Sequence, residues 1–344
     1  VAACGVPVAK MSGRGLGHTG GTIDKLESIP GMRTELSEAA FKDQVRRIGC
    51  AVIGQSAALA PADKRLYALR DVTETVDSMP LIASSIMSKK IAAGCQAIVL
   101  DVKTGSGSFL PRLQDSVELA KTMVRIGSLV NRNTVALITD MGQPLGSHIG
   151  NALEVKEAID ILTGRAQGPL LEVSVTLGAC MLQAAGKSGD LEQAKALLRQ
   201  KLQSGQGAEM LRRMIEAQGG DPNVVDRTEL LPQASLQKDY VAARGGLLTR
   251  LDAALLGAAS QQLGAGRARK EDVIDPAVGL VMHKRLGDPV RAGEAILTLY
   301  ANRDADCEIA SATLDRALSV GEGPVDVPPL IAARVDAGGI HALA

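Results

Sequence analysis

The densest chemical signal in the chain is Ser12-Gly13-Arg14-Gly15-Leu16-Gly17-His18-Thr19-Gly20-Gly21-Thr22, where five glycines lie between two hydroxyl side chains. A glycine loop that follows a strand turns its backbone N–H groups into a concavity. A helix beginning near Thr22 adds its positive end, so the arrangement suits phosphate or a similar anion. A glycine-rich turn with no ligand is the plain alternative. No Gly-Lys-Ser/Thr follows, and no acidic residue about 20 positions on closes a second strand. Nucleoside triphosphates and dinucleotides are therefore excluded as ligands of this loop. His18, inside the loop, either works on a ligand or bonds loop carbonyls.

A second set of donors lies downstream. Ser85 and Lys89 are four residues apart and share one helix face, with Arg70 upstream where a turn brings it alongside. Hydroxyl, ammonium and guanidinium together fit a planar ligand that carries carbonyl acceptors and becomes an anion, because charge-assisted bonds strengthen as negative charge develops. A solvated surface face is the alternative. Asp101 and Lys103 end an apolar run beside Gly105 and Gly107, either at a ligand crevice or as a simple ion pair. Phe109 and Leu16 either wall an apolar slot or pack in the core. His148, His283 and His341 are isolated and show no zinc-ligand spacing.

These residues need elements to hold them. An apolar stretch at 6–11 runs into the first glycine loop, and 23–29 reads as helix. The same grammar recurs as strand 97–102, loop 103–108 and helix 113–126. It recurs again as strand 134–140, loop 141–150 and helix 151–162, with Asn151 as the expected N-cap. Repeated strand-loop-helix units predict a parallel sheet covered by helices. Asp77-Ser78-Met79-Pro80 opens a helix that Gly94 closes, so 62–93 reads as a helical insertion. Helical pattern then continues to about Ala217, where Gly219-Gly220-Asp221-Pro222 breaks it. Short strands at 278–282 and 295–300, joined by Gly- and Pro-bearing turns, predict a small α+β domain over 240–330. The central α/β domain takes 1–61 and 94–225.

Length and composition narrow the classes. With 344 residues the chain is long enough for about two domains and needs no disulfide scaffold. Its 38 Lys and Arg balance 38 Asp and Glu, which argues against a partner in nucleic acid or an anionic membrane. Two Phe, three Tyr and no Trp leave little for base or sugar stacking. Five scattered cysteines without a CxxC pair read as buried thiols in a reducing compartment. No apolar run reaches the roughly 20 residues that span a bilayer, and no basic segment marks a signal peptide, so a soluble, cytoplasmic protein is expected. Val1-Ala2-Ala3-Cys4-Gly5 reads as the last turn of a helix stopped by glycine, which suggests an N-terminally truncated chain. A processed start is the alternative.

Residues 12–27, Ser-Gly-Arg-Gly-Leu-Gly-His-Thr-Gly-Gly-Thr-Ile-Asp-Lys-Leu-Glu, resemble the signature of the thymidine and pyrimidine-nucleoside phosphorylases. The resemblance continues through Pro61-Ala62-Asp63-Lys64, Tyr67-Ala68-Leu69-Arg70-Asp71, Ile82-Ala83-Ser84-Ser85-Ile86-Met87-Ser88-Lys89-Lys90, Asp101-Val102-Lys103-Thr104-Gly105 and Leu263-Gly264-Ala265-Gly266-Arg267. The wording of residues 8–12 and 85–89 is closer to the bacterial pyrimidine enzymes. The resemblance implies an α/β nucleoside phosphorylase or phosphoribosyltransferase-like fold. Its parts would be a helical domain, incomplete here, a central parallel-sheet domain and a small C-terminal α+β domain. It further implies a pentosyltransferase, that is a glycosyltransferase, that phosphorolyses uridine, thymidine and deoxyuridine in nucleoside salvage or catabolism.

By the family pattern Arg70, Ser85 and Lys89 hold the base, Tyr67, Leu16, Ile82 and Phe109 surround it, and Arg70 and Lys89 neutralise it as it leaves. Lys10, Met11, Ser12 and Thr22 hold inorganic phosphate, the co-substrate, with no organic cofactor. A structural potassium ion maps to the carbonyls of Leu145 and His148 and the carboxylate of Glu157, and oxygen ligands suit such a hard cation. The pattern also implies a homodimer and an upstream Lys-His-Ser-Thr-Gly-Gly-x-Gly-Asp segment that completes the phosphate site and supplies a proton donor. Two other readings stand beside it. One is a non-catalytic remnant that binds pyrimidine or phosphate or only dimerises. The other is an anthranilate-type phosphoribosyltransferase, which needs diphosphate and Mg²⁺. The turn at 282–290 also resembles a lipoyl-carrier hairpin.

Overall fold

A computed structural model describes residues 1–15, 20–54, 60–63, 66, 75, 78–269 and 271–343. A short 3₁₀ turn ends at Gly5, and β1 (Val8–Ser12) follows. The first glycine loop leads into α1 (Thr22–Glu27) and then α2 (Glu38–Ile48). Ser37 caps α2 by accepting the Ala40 N–H, and Gly49, at φ 85°, ends it. β2 (Cys50–Gly54) returns parallel to β1, with Ser12 opposite Gly54.

α3 (Met79–Ala92) carries proline in its first turn, as the sequence predicts, and stops before Gly94. β3 (Ala97–Thr104), α4 (Leu113–Leu129) and β4 (Asn133–Asp140) form the second unit, with β3 and β4 parallel over their full lengths. β4 is buried at every position after Asn133, as a central strand must be when helices cover both faces. Its side chains alternate. Ala136 and Ile138 face Leu119, Met123 and Val124 of α4 and Ala83 and Met87 of α3, while Val135 and Leu137 face the opposite helical layer at Cys180. Within the described residues, α3 is thus packed into the core of the β3–β4 sheet.

β5 (His148–Gly150) precedes α5 (Asn151–Leu162), and α6 (Pro169–Ala184), α7 (Leu191–Gln203) and α8 (Gln206–Ala217) complete the helical layer. Gly150, not Asn151, is the N-cap of α5. Asn151 is the first helical residue, and its buried amide donates to the Ala265 carbonyl instead of capping.

Beyond a pair of 3₁₀ turns come β6 (Leu236–Val241), β7 (Gly246–Leu251), α9 (Ala253–Ser260), β8 (Gly279–Met282), β9 (Pro289–Val290), β10 (Ala295–Ala301), α10 (Asp304–Ala317) and β11 (Leu318–Gly321). They enclose a separate apolar core that includes Leu248, Leu256, Leu280, Leu297 and Leu314. β5 joins this unit as the edge of a β5-β8-β10-β6 sheet. Two last strands, β12 (Ile331–Asp336) and β13 (Gly339–Ala342), return to the central sheet, where β12 runs antiparallel to β4. Of the three strands expected in one parallel sheet, β3 and β4 pair as predicted, whereas β1 pairs with β2 in a separate sheet among the described residues; β12 and β13 extend the β3–β4 sheet on the β4 side. Four cysteines are buried and Cys95 is partly so, all as free thiols. Among the described residues no helix is long and apolar enough to cross a membrane.

The loop after β3 closes on the loop after β4. Gly107 N donates to Met141 O at 3.0 Å and Gly105 N to Pro111 O at 3.1 Å. Gly105 holds φ 104°, and a Cβ there would lie 2.4 Å from Gly142 N, so both conformation and space demand glycine. Gly105→Ala is expected to lower unfolding free energy by more than about 1 kcal/mol, read from the urea midpoint. An unchanged midpoint would contradict this account of the loop.

Candidate active site

α3, β3 and the loop after β3 enclose a cavity of about 320 Å³, within the range that holds small organic ligands. Ile82, Ser85, Ile86 and Lys89 line it from one face of α3, and Asp101, Val102 and Lys103 line it from the end of β3. Ser108, Phe109 and Leu110 close the loop side, above Leu119 and Met123 of α4. Of the residues expected around a planar ring, Ile82, Ser85, Lys89 and Phe109 are thereby brought to one space. Phe109 is 70% exposed, so its ring stands at the cavity rim and does not pack into the core. Tyr67, Arg70 and Leu16, with His18, lie outside the described residues.

The polar groups of the cavity are already oriented. Lys89 Nζ donates to Ser85 Oγ at 3.1 Å and pairs with Asp63 at 2.9 Å. Because Ser85 Oγ accepts from the lysine, its own hydrogen is left to donate to a carbonyl. Asp63, of the Pro61-Ala62-Asp63-Lys64 motif, has no role assigned by the sequence but is the carboxylate partner of Lys89. Its side chain is 10% exposed, and it supplies the negative charge that makes a half-buried lysine tolerable. Across the cavity Lys103 Nζ pairs with Asp101 at 2.6 Å and donates to the buried Thr139 hydroxyl at 2.9 Å. The pair at the end of β3 therefore lines this cavity and is an ion pair at once.

The glycine loop is built around a carboxylate. Asp24, in the first turn of α1 with a side chain 2% exposed, accepts from Gly15 N at 2.7 Å. It also accepts from Arg14 at 3.2 Å and from both terminal nitrogens of Arg267, at 3.0 and 2.9 Å. Arg14 in turn forks Glu27, which takes a further bond from the Thr34 hydroxyl at 2.6 Å. The loop folds back so tightly that a Cβ on Gly21 would sit 2.1 Å from Gly15 N, which reserves this position for glycine. Ser12, at the end of β1, and Thr22, at the start of α1, flank it.

Lys10 and Met11 lie on β1 just before the loop. Desolvation first, and then the charges of Lys90 and Lys25, hold the Lys10 ammonium below the usual lysine range. Lys90 follows the cavity residue Lys89 in α3, and Lys25 lies in α1. An electropositive crowd of this kind is relieved by an anion.

Glu157 is buried, and its carboxylate accepts the N–H groups of Ser147 at 2.7 Å and His148 at 3.1 Å. Burial alone would raise its pKa, but the bonds from His148 and the Ser147 amide bring it below the ordinary value. His148 Nδ1, 3.6 Å from the same carboxylate, is buried without a hydrogen-bond partner. Among the described residues no three His, Cys, Asp or Glu side chains cluster as metal ligands. Both carboxylate oxygens of Glu157 are taken by the Ser147 and His148 N–H donors.

With this geometry in view, residues 1–208 match the family model "Glycosyl transferase family, a/b domain", and residues 247–321 match "Pyrimidine nucleoside phosphorylase C-terminal domain". The pyrimidine-nucleoside phosphorylases of Staphylococcus aureus strains USA300 and NCTC 8325 are each 55% identical over 331 residues. That stretch is 96% of this chain and 76% of theirs. The chain belongs to the pyrimidine-nucleoside phosphorylase family. Its fold is also that of a phosphoribosyltransferase. The anthranilate phosphoribosyltransferase of Thermus thermophilus superposes with a TM-score of 0.50 at 20% identity, over 63% of this chain and 70% of that one. At that identity the likeness concerns fold alone.

The carboxylate at the heart of this phosphorylase-family loop gives a pH signature. Burial opposes ionisation of Asp24, yet the bonds from Arg267 and Gly15 outweigh it and hold its pKa below the usual value. A depressed carboxylate stabilises the fold above its unfolded pKa of about 3.9, and that stabilisation is lost as pH falls through the folded value. The stability gap between the wild type and Asp24→Asn is therefore expected to be widest near neutrality and to narrow below about pH 4. Urea titrations from pH 2 to 7 measure it, and a constant gap would contradict the assignment.

Proposed function

We propose that the protein catalyses the reversible phosphorolysis of pyrimidine nucleosides such as uridine, thymidine and deoxyuridine, giving free pyrimidine and (deoxy)ribose 1-phosphate. The observation that carries this reading is the convergence of Ser85, Lys89, Ile82 and Phe109 on one ring-sized cavity. Family membership supports it over an anthranilate-type transferase.

In this reading the pyrimidine lies between the α3 face and Phe109. The Ser85 hydroxyl and Lys89 ammonium donate to its carbonyls, and Arg70 completes the set. Lys10, Met11, Ser12 and Thr22 hold inorganic phosphate, the co-substrate. A phosphate oxygen forms a bond to C1′ as the bond from C1′ to N1 breaks, with inversion at C1′ through an oxocarbenium-like sugar. The bonding pair departs with the base, and the developing negative charge is met by Lys89 and Arg70. Asp63 holds Lys89 on the cavity side. Lys103 adds a second positive group to the cavity wall, balanced by Asp101.

Potassium would be held by the carbonyls of Leu145 and His148 with Glu157, where it neutralises a buried carboxylate and steadies the loop before α5. The enzyme works as a cytoplasmic homodimer in salvage or catabolism of nucleosides, a reading supported by the prevalence of two-fold dimers and by the family resemblance.

The test is uracil release from uridine, followed by absorbance with and without inorganic phosphate. Release is expected to require phosphate and to proceed without magnesium. Lys89→Ala is expected to lower kcat/KM by about 10²- to 10³-fold. Phe109→Ala is expected to weaken uridine binding while shifting stability by no more than about 0.5 kcal/mol, because the ring is exposed. Phosphate-independent release, or full activity in Lys89→Ala, would refute the reading.

A further inference from the structure

We propose that Arg267 is a positioning residue for the phosphate loop, and that its pairing with Asp24 sets the affinity for phosphate. The inference rests on the reading of this loop as the phosphate site. It starts from a contact across the chain: Arg267 and Asp24 are 243 residues apart, one in the C-terminal unit and the other inside the central region.

The pair controls the loop directly. Both terminal guanidinium nitrogens of Arg267 reach Asp24, and one also donates to the Gly15 carbonyl at 3.4 Å. Asp24 takes the Gly15 N–H, so one arginine–carboxylate pair holds both polar ends of a single glycine in the loop. Gly15 is the residue against which Gly21 closes, and Gly21 is the N-cap of the helix that Thr22 begins. No ligand need touch Arg267 for a small displacement there to move the phosphate donors.

Arg267 is itself anchored. The Asn151 amide binds the Ala265 carbonyl at 2.9 Å, and Asp275 N binds the Gly264 carbonyl at 2.9 Å, which holds the Leu263-Gly264-Ala265-Gly266 turn over the start of α5. α5 also grips α1 through the Glu154–Lys25 pair at 2.5 Å. Loop, α1, α5 and the turn carrying Arg267 thus form one closed set of contacts. The guanidinium, with a side chain 14% exposed, faces Asp24 and lines no part of the base cavity. Its influence should therefore separate the two substrates.

The experiment compares Arg267→Lys, Arg267→Gln and the double variant Asp24→Asn/Arg267→Gln with the wild type. The double variant avoids leaving a buried carboxylate with only Arg14 as its cationic partner, so a foldable protein is available even if Arg267→Gln alone fails. Steady-state kinetics should show KM for phosphate raised by about 10- to 100-fold and KM for uridine unchanged within about twofold, with partial retention in Arg267→Lys. Hydrogen exchange should rise in the peptide spanning residues 8–27 and not across the β8–β10 strands. Unchanged KM for phosphate, or a parallel rise in both KM values that tracks a lower Tm, would overturn the proposal. If the wild type shows no phosphate-dependent release, the functional reading falls by itself. The exchange comparison then decides the pair, and unchanged loop exchange would reject it.

Discussion

A carboxylate withdrawn from water organises the glycine-loop side of this molecule. Asp24 is covered to 2% exposure and is surrounded by N–H donors from Gly15, Arg14 and Arg267. An ionised group at that depth is stable only when its lone pairs are filled by such donors, and it cannot shift without losing them. The glycine loop, α1 and the turn before β8 therefore all meet at this one charge. The Glu27–Arg14–Thr34 bonds carry the same constraint one helical turn further along α1.

The cavity beside α3 follows a different rule. It is an apolar slot with charges at its edges, and each of those charges has a partner already: Lys89 with Asp63, and Lys103 with Asp101. Pairing keeps the ammonium groups aimed at low reorganisation cost while the chain as a whole remains neutral. On the β1 side, Lys10 feels the like charges of Lys90 and Lys25.

Much of this is legible in the sequence because the relevant signals are local. β3 and β4 announce themselves as continuous apolar runs, α5 begins and ends at the residues its pattern predicts, and the Pro80 and Gly94 punctuation brackets α3. α2 and β2 escape such a reading: only Phe41, Gln44 and Ile48 of α2 are buried, and β2 has five residues. β12 and β13 escape it for another reason, since their partner β4 lies far away in sequence and nothing local encodes that pairing. The site shows the same division. The i,i+4 spacing of Ser85 and Lys89 is visible in the sequence, whereas the partnership of Asp24 with Arg267 and of Lys89 with Asp63 exists only after folding. Asn151 has the composition of a cap, but a nearby carbonyl captures its amide.

The most direct test of the account is a crystal structure of the protein grown with uracil and inorganic phosphate. The account predicts uracil between Phe109 and the Ser85–Lys89 face of α3. It places phosphate against Ser12 and Thr22, and the Arg267–Asp24 bonds should remain intact beneath the loop. Uracil bound elsewhere, or phosphate bound away from the glycine loop, would contradict it.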